Sequence, residues 1–177
     1  NEIHSYYGNI HALKGVSFTV DKGEIVTLIG ANGAGKTTTL KTISGSIHPR
    51  HGSIYLDGER IDGKATEDVV RKGIAHVPDG RGTFVNLSTE ENLRLGAYVR
   101  ADKAQLALDM EKAFTRFPIL KARRHQQAGT LAHGQKQWLE IGMLLMQEPQ
   151  LMLVDEPVAG MTHQETERTA ELLVSLA

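Results

Sequence analysis

A glycine-rich run between an apolar strand pattern and a helical pattern constrains this chain more than any other feature. Residues Gly30 to Thr38 read GANGAGKTT and fit the pattern G-x-x-x-x-G-K-[ST] throughout. Glycines without a Cβ let the backbone turn tightly, so that successive N–H groups point at one anion. The preceding run Glu24–Ile29 predicts a buried strand, and Leu40, Ile43 and Ile47 follow at helical spacing. This order of strand, loop and helix predicts a phosphate-binding loop.

The loop pattern assigns a role to each kind of side chain in it. Lys36 supplies a mobile positive charge for the β- and γ-phosphates of a nucleotide, and the Thr37 hydroxyl is the expected Mg²⁺ ligand. The other residues expected to contact the phosphates are Asn32, Gly33, Ala34, Gly35 and Thr38. A dinucleotide-binding loop is a weaker interpretation, because the glycines at 30, 33 and 35 do not fit G-x-G-x-x-G.

A second candidate site follows the apolar run Leu151–Val154, which predicts a central strand. Asp155 and Glu156 come directly after it, and a parallel sheet would place both acids at the edge where the phosphate loop lies. Asp155 is then expected to hold Mg²⁺ through water, and Glu156 to accept a proton from the attacking water. The alternative is a plain turn at the end of a strand.

A third candidate site is the start of the helix predicted from Gly134 to Met146. The segment Thr130–Gln137 precedes and opens this helix, and its free N–H groups would form a second anion site. A phosphate loop already surrounds one side of a γ-phosphate, so another chain would have to deliver this helix. The alternative is an ordinary helix start that contains glycine.

Composition limits the classes of protein that fit. The chain has 177 residues and a formal net charge of −1, which gives no electrostatic footprint for nucleic acid. It has no cysteine, which excludes disulfides and thiolate metal sites. No apolar stretch approaches the roughly 20 residues that a membrane-spanning helix needs. The length and composition favour one globular domain with an ordinary core.

The order of predicted elements indicates an α/β fold class. Strand and helix patterns alternate at both ends of the chain, and several helices cluster from about 88 to 147. We therefore predict one incomplete domain over 1–177 with a parallel sheet, a small antiparallel β layer and a helical subdomain at 88–147.

With these motifs in order, nearly the whole chain resembles the ATP-binding subunits of ABC transporters. Gly30–Thr38 resembles the Walker A loop, Leu131–Gln135 (LAHGQ) the LSGGQ signature, and Leu151–Glu156 the Walker B strand. Tyr7 matches the aromatic residue that stacks on adenine in this family, with strand or core packing as the alternative. The resemblance implies a P-loop NTPase fold of the ABC ATPase type, binding of ATP with Mg²⁺, and ATP hydrolysis.

Within this family, the sequence resembles two subgroups most closely. The first half of the chain, including VPDGRGTFVNLSTEENLRLGAY, looks like the ATPase subunits of branched-chain amino-acid importers. From the signature onward, HGQKQWLEIGMLL and DEPVAGMT look more like the ATPase of urea importers. The resemblance therefore leaves both solutes open.

The resemblance also implies partners and a location. Two such subunits, identical or different, sandwich ATP head to tail, and each signature contacts the γ-phosphate held by the other subunit. In this arrangement His133, Gly134 and Gln135 would contact nucleotide, Lys36 would stabilise charge in the transition state, and Glu156 would activate water. The dimer drives transmembrane permease subunits, and a periplasmic or extracellular solute-binding protein delivers the solute. The subunit is expected to be peripheral, at the cytoplasmic face of the plasma (inner) membrane.

Several positions depart from the family pattern. Ala132 replaces the signature serine and removes one charge-assisted hydrogen bond, worth roughly 1.5–3 kcal/mol, or about tenfold or more in affinity or rate. His133 replaces a glycine, and its ring can either donate to a phosphate or obstruct it. Asp79 replaces the Q-loop glutamine and can still contact nucleotide, water or Mg²⁺ through oxygen. In the family, the switch histidine follows a strand beyond the last helix, and the sequence stops at Ala177 before such a strand. We therefore expect this chain to be a fragment of a longer subunit that binds Mg·ATP but hydrolyses it poorly.

Two other classes of protein share some of these sequence features. One is an ABC protein that acts on nucleic acid, which the net charge of −1 and the single short domain disfavour. Another is a nucleotide-binding module with little catalysis, which Ala132 and the missing switch histidine favour.

Overall fold

A computed structural model describes residues 1–77, 82–100, 102 and 104–176. The helices and strands follow one another in an α/β order, with strands towards both ends and helices concentrated between them. The strands are β1 Ile3–Tyr7, β2 Ile10–Val16, β3 Tyr55–Leu56, β4 Glu59–Arg60, β5 Ile74–Val77 and β6 Leu151–Val154. The helices are α1 Lys36–Ile43, α2 Thr66–Arg71, α3 Thr89–Gly96, α4 Leu106–Arg116, α5 Pro118–Ala122, α6 His133–Leu145 and α7 His163–Leu176.

Two antiparallel hairpins form the β layer that the sequence predicts. β1 pairs with β2 from Ile3↔Val16 to Tyr7↔Ile10, with irregular register along the way. β3 and β4 are joined at Asp57 and Gly58, which both have positive φ, as a tight two-residue hairpin turn requires. Asp-Gly is a sequence pair typical of such a turn, and each of the strands it joins has only two residues.

The predicted parallel sheet is present as the pair β5–β6. Its register runs from Ile74↔Leu151 to Val77↔Val154, and α3 to α6 lie in the connection between the strands. Apolar side chains cover both faces, with Ile74 and Leu153 packed towards Leu40 of α1 and Val77 towards α6. Burial on both faces explains why Leu151–Val154 is a continuous apolar run in the sequence.

The strand predicted at Glu24–Ile29 is wrong for this structure. These residues form no strand, and Ile25 and Ile29 are 50% and 93% exposed. A strand is held by hydrogen bonds to a neighbour, and within the described part of the chain the parallel sheet consists of β5 and β6 alone. An apolar, β-branched run has the residue types that are typical of a strand. It does not form a strand here, because no neighbouring strand in the described part of the chain makes hydrogen bonds with it.

The helices from α3 to α6 pack on a shared core. Its most buried members include Leu93, Phe114, Leu120, Leu139 and Ile141, each no more than 1% exposed. Arg100 and Asp109 form an ion pair of 2.7 Å at the edge of this core, with side chains 9% and 6% exposed. The shared core supports a helical subdomain near 88–147, and the exact division of the chain stays a prediction.

Two capping boxes with the sequence pattern S/T-x-x-E are formed. The Ser88 hydroxyl accepts the N–H of Glu91 and the Glu91 carboxylate accepts the N–H of Ser88, which fixes the start of α3. Thr162 and Glu165 make the same reciprocal pair before α7. No helix in the described ranges is both long and apolar enough to cross a membrane.

Candidate functional site

The glycine loop adopts the shape that the sequence predicts. Gly33 and Gly35 have φ of 84° and 93°, a region that side chains with a Cβ rarely adopt. A Cβ on Gly35 would also lie 2.7 Å from the Leu13 side chain, so both backbone and packing require glycine there. α1 begins at Lys36 directly after this turn, which directs its N-terminal N–H groups and positive dipole end at the loop.

The side chains of the loop place a cation and hydroxyls at the helix N-terminus. The Lys36 ammonium group lies over the loop and donates to the carbonyl oxygens of Gly30 at 2.7 Å and Ala31 at 3.1 Å. Thr37 is exposed beside it, whereas Thr38 is 9% exposed. The main-chain donors, the lysine and the Thr37 hydroxyl therefore share one surface, as a bound triphosphate requires.

Tyr7 stands at the end of β1, next to this loop. Its hydroxyl lies 3.5 Å from Oγ1 of Thr38, and its side chain is 46% exposed. An exposed ring does not fit the alternative of core packing. The ring is free to stack on a flat base held above the loop.

The two acids after β6 differ sharply in their surroundings. Asp155 is 4% exposed, and its N–H donates to the carbonyl oxygen of Val77, which continues the parallel pairing. Glu156 is exposed and has φ of 46°, an uncommon left-handed conformation for a residue with a side chain. The chain therefore keeps one carboxylate inside the sheet edge and turns the next one towards solvent.

His76 is a half-buried titratable residue of β5, opposite Leu153 of β6. Burial lowers its pKa below the usual value, an effect that the Asp155 charge opposes and the Lys41 charge reinforces. Its Nε2 atom is buried without a hydrogen-bond partner. Burial and the nearby Lys41 charge therefore favour the neutral imidazole, whereas the Asp155 charge favours the protonated one.

The signature-like segment begins α6 one residue earlier than predicted. Ala132 is the extended residue before the helix, and its N–H donates to Oε1 of Gln135 at 3.3 Å. The His133 ring is turned towards the segment after β6, where its Nε2 donates to the carbonyl oxygen of Ala159 at 2.8 Å. Gly134 is buried, and a Cβ there would lie 2.5 Å from the Glu165 carboxylate.

The oxygen donors fit a nucleotide-bound Mg²⁺ better than a protein-only metal cage. No group of three or more metal-ligating His, Cys, Asp or Glu side chains occurs in the part of the chain that the structure describes. Mg²⁺ usually takes only one or two protein oxygens and completes its shell with phosphate and water. Thr37 and Asp155 supply oxygens of that kind, whereas the predicted ligand Asp79 lies outside the described residues.

The structure also identifies contacts that the sequence interpretation missed. Gln137 is 3% exposed and donates from Nε2 to the carbonyl oxygen of Glu156 at 3.4 Å, so it links α6 to the acid after β6. A polar residue at a buried helical position was the available signal for it. The indication for His76 is weaker, since it is a histidine within an otherwise apolar strand pattern.

Comparisons with known proteins agree with this geometry. The family described as ABC transporter matches residues 13–159. A branched-chain amino acid transport ATP-binding protein, BraG of Pseudomonas aeruginosa, is 45% identical over 176 residues, which cover 99% of this chain and 75% of the relative. A probable branched-chain amino acid transport ATP-binding protein, LivF of Archaeoglobus fulgidus, is 31% identical and covers 99% and 74%.

Solved structures give the same result for the fold. A nucleotide-free ATP-binding cassette from an ABC transporter superposes with a TM-score of 0.84 at 26% identity, covering 99% of this chain and 74% of that one. The ADP conformation of another ABC cassette gives 0.81 at 28% identity, with the same coverage of both chains. This chain belongs to the ABC transporter family and has the fold of its ATP-binding cassettes.

Proposed function

We propose that this chain binds Mg·ATP and hydrolyses it to power the import of branched-chain amino acids. The observation that carries the proposal is the phosphate loop, in which Gly33 and Gly35 have positive φ and Lys36 lies at the N-terminus of α1. The solute follows from the relatives, since BraG is 45% identical across almost the whole chain and is named for branched-chain amino acids. Urea is not favoured by these comparisons.

In this proposal the nucleotide lies along the surface from β1 to the loop. The exposed Tyr7 ring stacks on adenine, and Lys36 binds the β- and γ-phosphates once its ammonium group leaves the carbonyls of the loop. The loop residues that contact phosphate are Asn32, Gly33, Ala34, Gly35, Thr37 and Thr38. Thr37, Asp155 and Asp79 supply the oxygen atoms that bind Mg²⁺ directly or through water, and the ion neutralises phosphate charge when bound.

Asp155 and Glu156 have separate roles in the proposed hydrolysis. The buried Asp155 is the acid that would bind Mg²⁺ through water, while the exposed Glu156 accepts a proton from the attacking water. Lys36 stabilises the charge that develops on the transferred phosphoryl group. The opposite exposures of the two neighbouring acids support this division of roles.

A second copy or a related subunit completes the site. The N–H groups of His133, Gly134 and Gln135 at the start of α6 contact the γ-phosphate bound by the partner, because helix N-termini favour anions. Ala132 has no hydroxyl to add to these donors. The pair works with transmembrane permease subunits and, through them, with a solute-binding protein, as a peripheral subunit at the cytoplasmic face of the membrane.

Transport in proteoliposomes tests the function directly. The full-length subunit is reconstituted with its membrane subunits and solute-binding protein, and uptake of labelled leucine and labelled urea is measured with ATP. We expect leucine uptake that is lost in Glu156→Gln and kept in Glu111→Gln, an exposed glutamate on α4 that serves as the matched control. Uptake of urea instead of leucine would refute the solute. ATP-dependent dimerisation without phosphate release would favour the non-catalytic alternative.

A further inference from the structure

One face of α6 is attached to the segment that follows β6. His133 donates to Ala159, Gln137 donates to Glu156, and the indole N–H of Trp138 donates to Oγ1 of Thr169 at 2.9 Å. Residues four apart lie on the same side of a helix, so His133 and Gln137 form one contact surface. The start of α6 and the loop after Glu156 are therefore held together within one chain.

The loop is fastened at both of its ends. The Glu156 carbonyl oxygen accepts from Gln137 at 3.4 Å and from the N–H of Ala159 at 3.1 Å. The Ala159 carbonyl oxygen accepts from His133 at 2.8 Å. This chain of hydrogen bonds encloses residues 156–159 and includes the left-handed Glu156, whose φ is 46°.

The His133 bond depends on two local features. Gly160 has φ of 69°, and a Cβ there would lie 3.2 Å from the histidine ring, so the glycine lets the ring approach the loop closely. The signature of the family that this chain resembles has glycine at the position of His133, and glycine has no side chain that can donate to Ala159. The bond is thus a property of this chain and not of the signature motif itself.

We propose that His133 is a positioning residue that fastens loop 156–159 to α6 and thereby fixes the direction of the Glu156 carboxylate. Its side chain donates from Nε2 to the loop of its own subunit, and its main-chain N–H is the group assigned to a partner's phosphate. The orientation of Glu156 and the placement of α6 are consequently coupled through two hydrogen bonds, of which the His133 bond at 2.8 Å is shorter than the Gln137 bond at 3.4 Å. This inference rests on the proposed role of Glu156 in hydrolysis.

Hydrogen exchange tests the attachment without using nucleotide or activity. Wild type, His133→Gly, His133→Gln and the control His125→Gly, at an exposed histidine, are compared by mass spectrometry over peptides that span 156–166. We expect exchange at the Ala159 and Met161 amides to be about threefold faster or more in His133→Gly, since one hydrogen bond is lost. Glutamine can donate from a similar distance, so His133→Gln should restore protection. Equal exchange in wild type and His133→Gly would overturn the proposal.

Steady-state kinetics test the consequence for chemistry. In the full-length subunit assembled with its membrane subunits, we expect kcat to fall about fivefold in His133→Gly with an unchanged KM for ATP, and to recover in His133→Gln. A rise in KM with unchanged kcat would place His133 in contact with nucleotide and overturn the proposal. Binding of Mg·ATP by the wild-type chain, measured by calorimetry, separates this outcome from failure of the proposed function itself.

Discussion

Replacing Gly96 with alanine should push α3 and α6 apart. Gly96 is the last residue of α3 and is buried against α6, where a Cβ would lie 2.3 Å from the carbonyl oxygen and 2.8 Å from the Cα of Met143. Atoms in contact need about 3.5 Å, so one of the two backbones has to move by about 1 Å. Both neighbours are backbone atoms, which cannot rotate away as a flexible side chain would.

The expected cost follows from opposing effects. Overpacking of a close contact costs about 1–3 kcal/mol, and the shift of a helix backbone places this site at the upper end. Alanine recovers up to about 1 kcal/mol through its better helix propensity. We expect a net loss of about 2 kcal/mol in the free energy of unfolding, equivalent to about 4–8 °C in Tm for a domain of this size.

Urea denaturation followed by circular dichroism measures this loss, and Gly63→Ala is the matched control. A Cβ on Gly63 would meet no atom within 4 Å, and its φ is not in the left-handed region, so that variant should unfold within about 0.5 kcal/mol of wild type. Equal stability of Gly96→Ala and wild type would refute the close approach of the two helices. A control as unstable as the test variant would show that the effect does not come from packing.

Three further changes test other parts of the structure by urea denaturation. Ser88→Ala removes the acceptor at the start of α3 and should cost about 1 kcal/mol, whereas no change would contradict the capping box. The Lys112 and Arg100 side chains lower the pKa of Asp109, so its stabilisation is present above about pH 4 and is lost as the pH falls below that value. Asp109→Asn should cost about 2 kcal/mol at neutral pH and remove this acid dependence, and an unchanged pH profile would argue against the ion pair. Burial lowers the pKa of His76, so stability should fall as the pH drops below about 6.5, and His76→Phe should lack that fall.

The sequence predicts those parts of the fold that depend on local chemistry. The Ser88 and Thr162 capping boxes, the turn at Asp57–Gly58 and the start of α1 after the glycine loop are formed where their residues indicate. Each depends on interactions between residues within a few positions of one another. The run Glu24–Ile29 shows the limit, because a strand also depends on a distant partner that its own residues do not specify.

The candidate site likewise combines residues that local motifs indicate with a long-range contact that they do not. Side-chain chemistry and spacing predict functional roles for Lys36, Thr37, Asp155 and Glu156, which lie at the loop and directly after β6, and these roles stay predictions. The contact between His133 and the Ala159 carbonyl oxygen was not predictable, because it joins residues 26 positions apart through a main-chain acceptor. Every residue carries such an acceptor, so the sequence gives no sign of which one a histidine will contact.

The central claim is that the loop before α1 binds the phosphates of a nucleotide, and calorimetry tests it most directly. ATP is titrated in the presence of Mg²⁺ into wild type, Lys36→Ala and the control Lys22→Ala, which removes an exposed lysine in a turn. Loss of a charge-assisted contact should weaken binding by about tenfold or more in Lys36→Ala, while the control binds as the wild type does. Equal heats and affinities in wild type and Lys36→Ala would contradict the assignment of this loop as a nucleotide site.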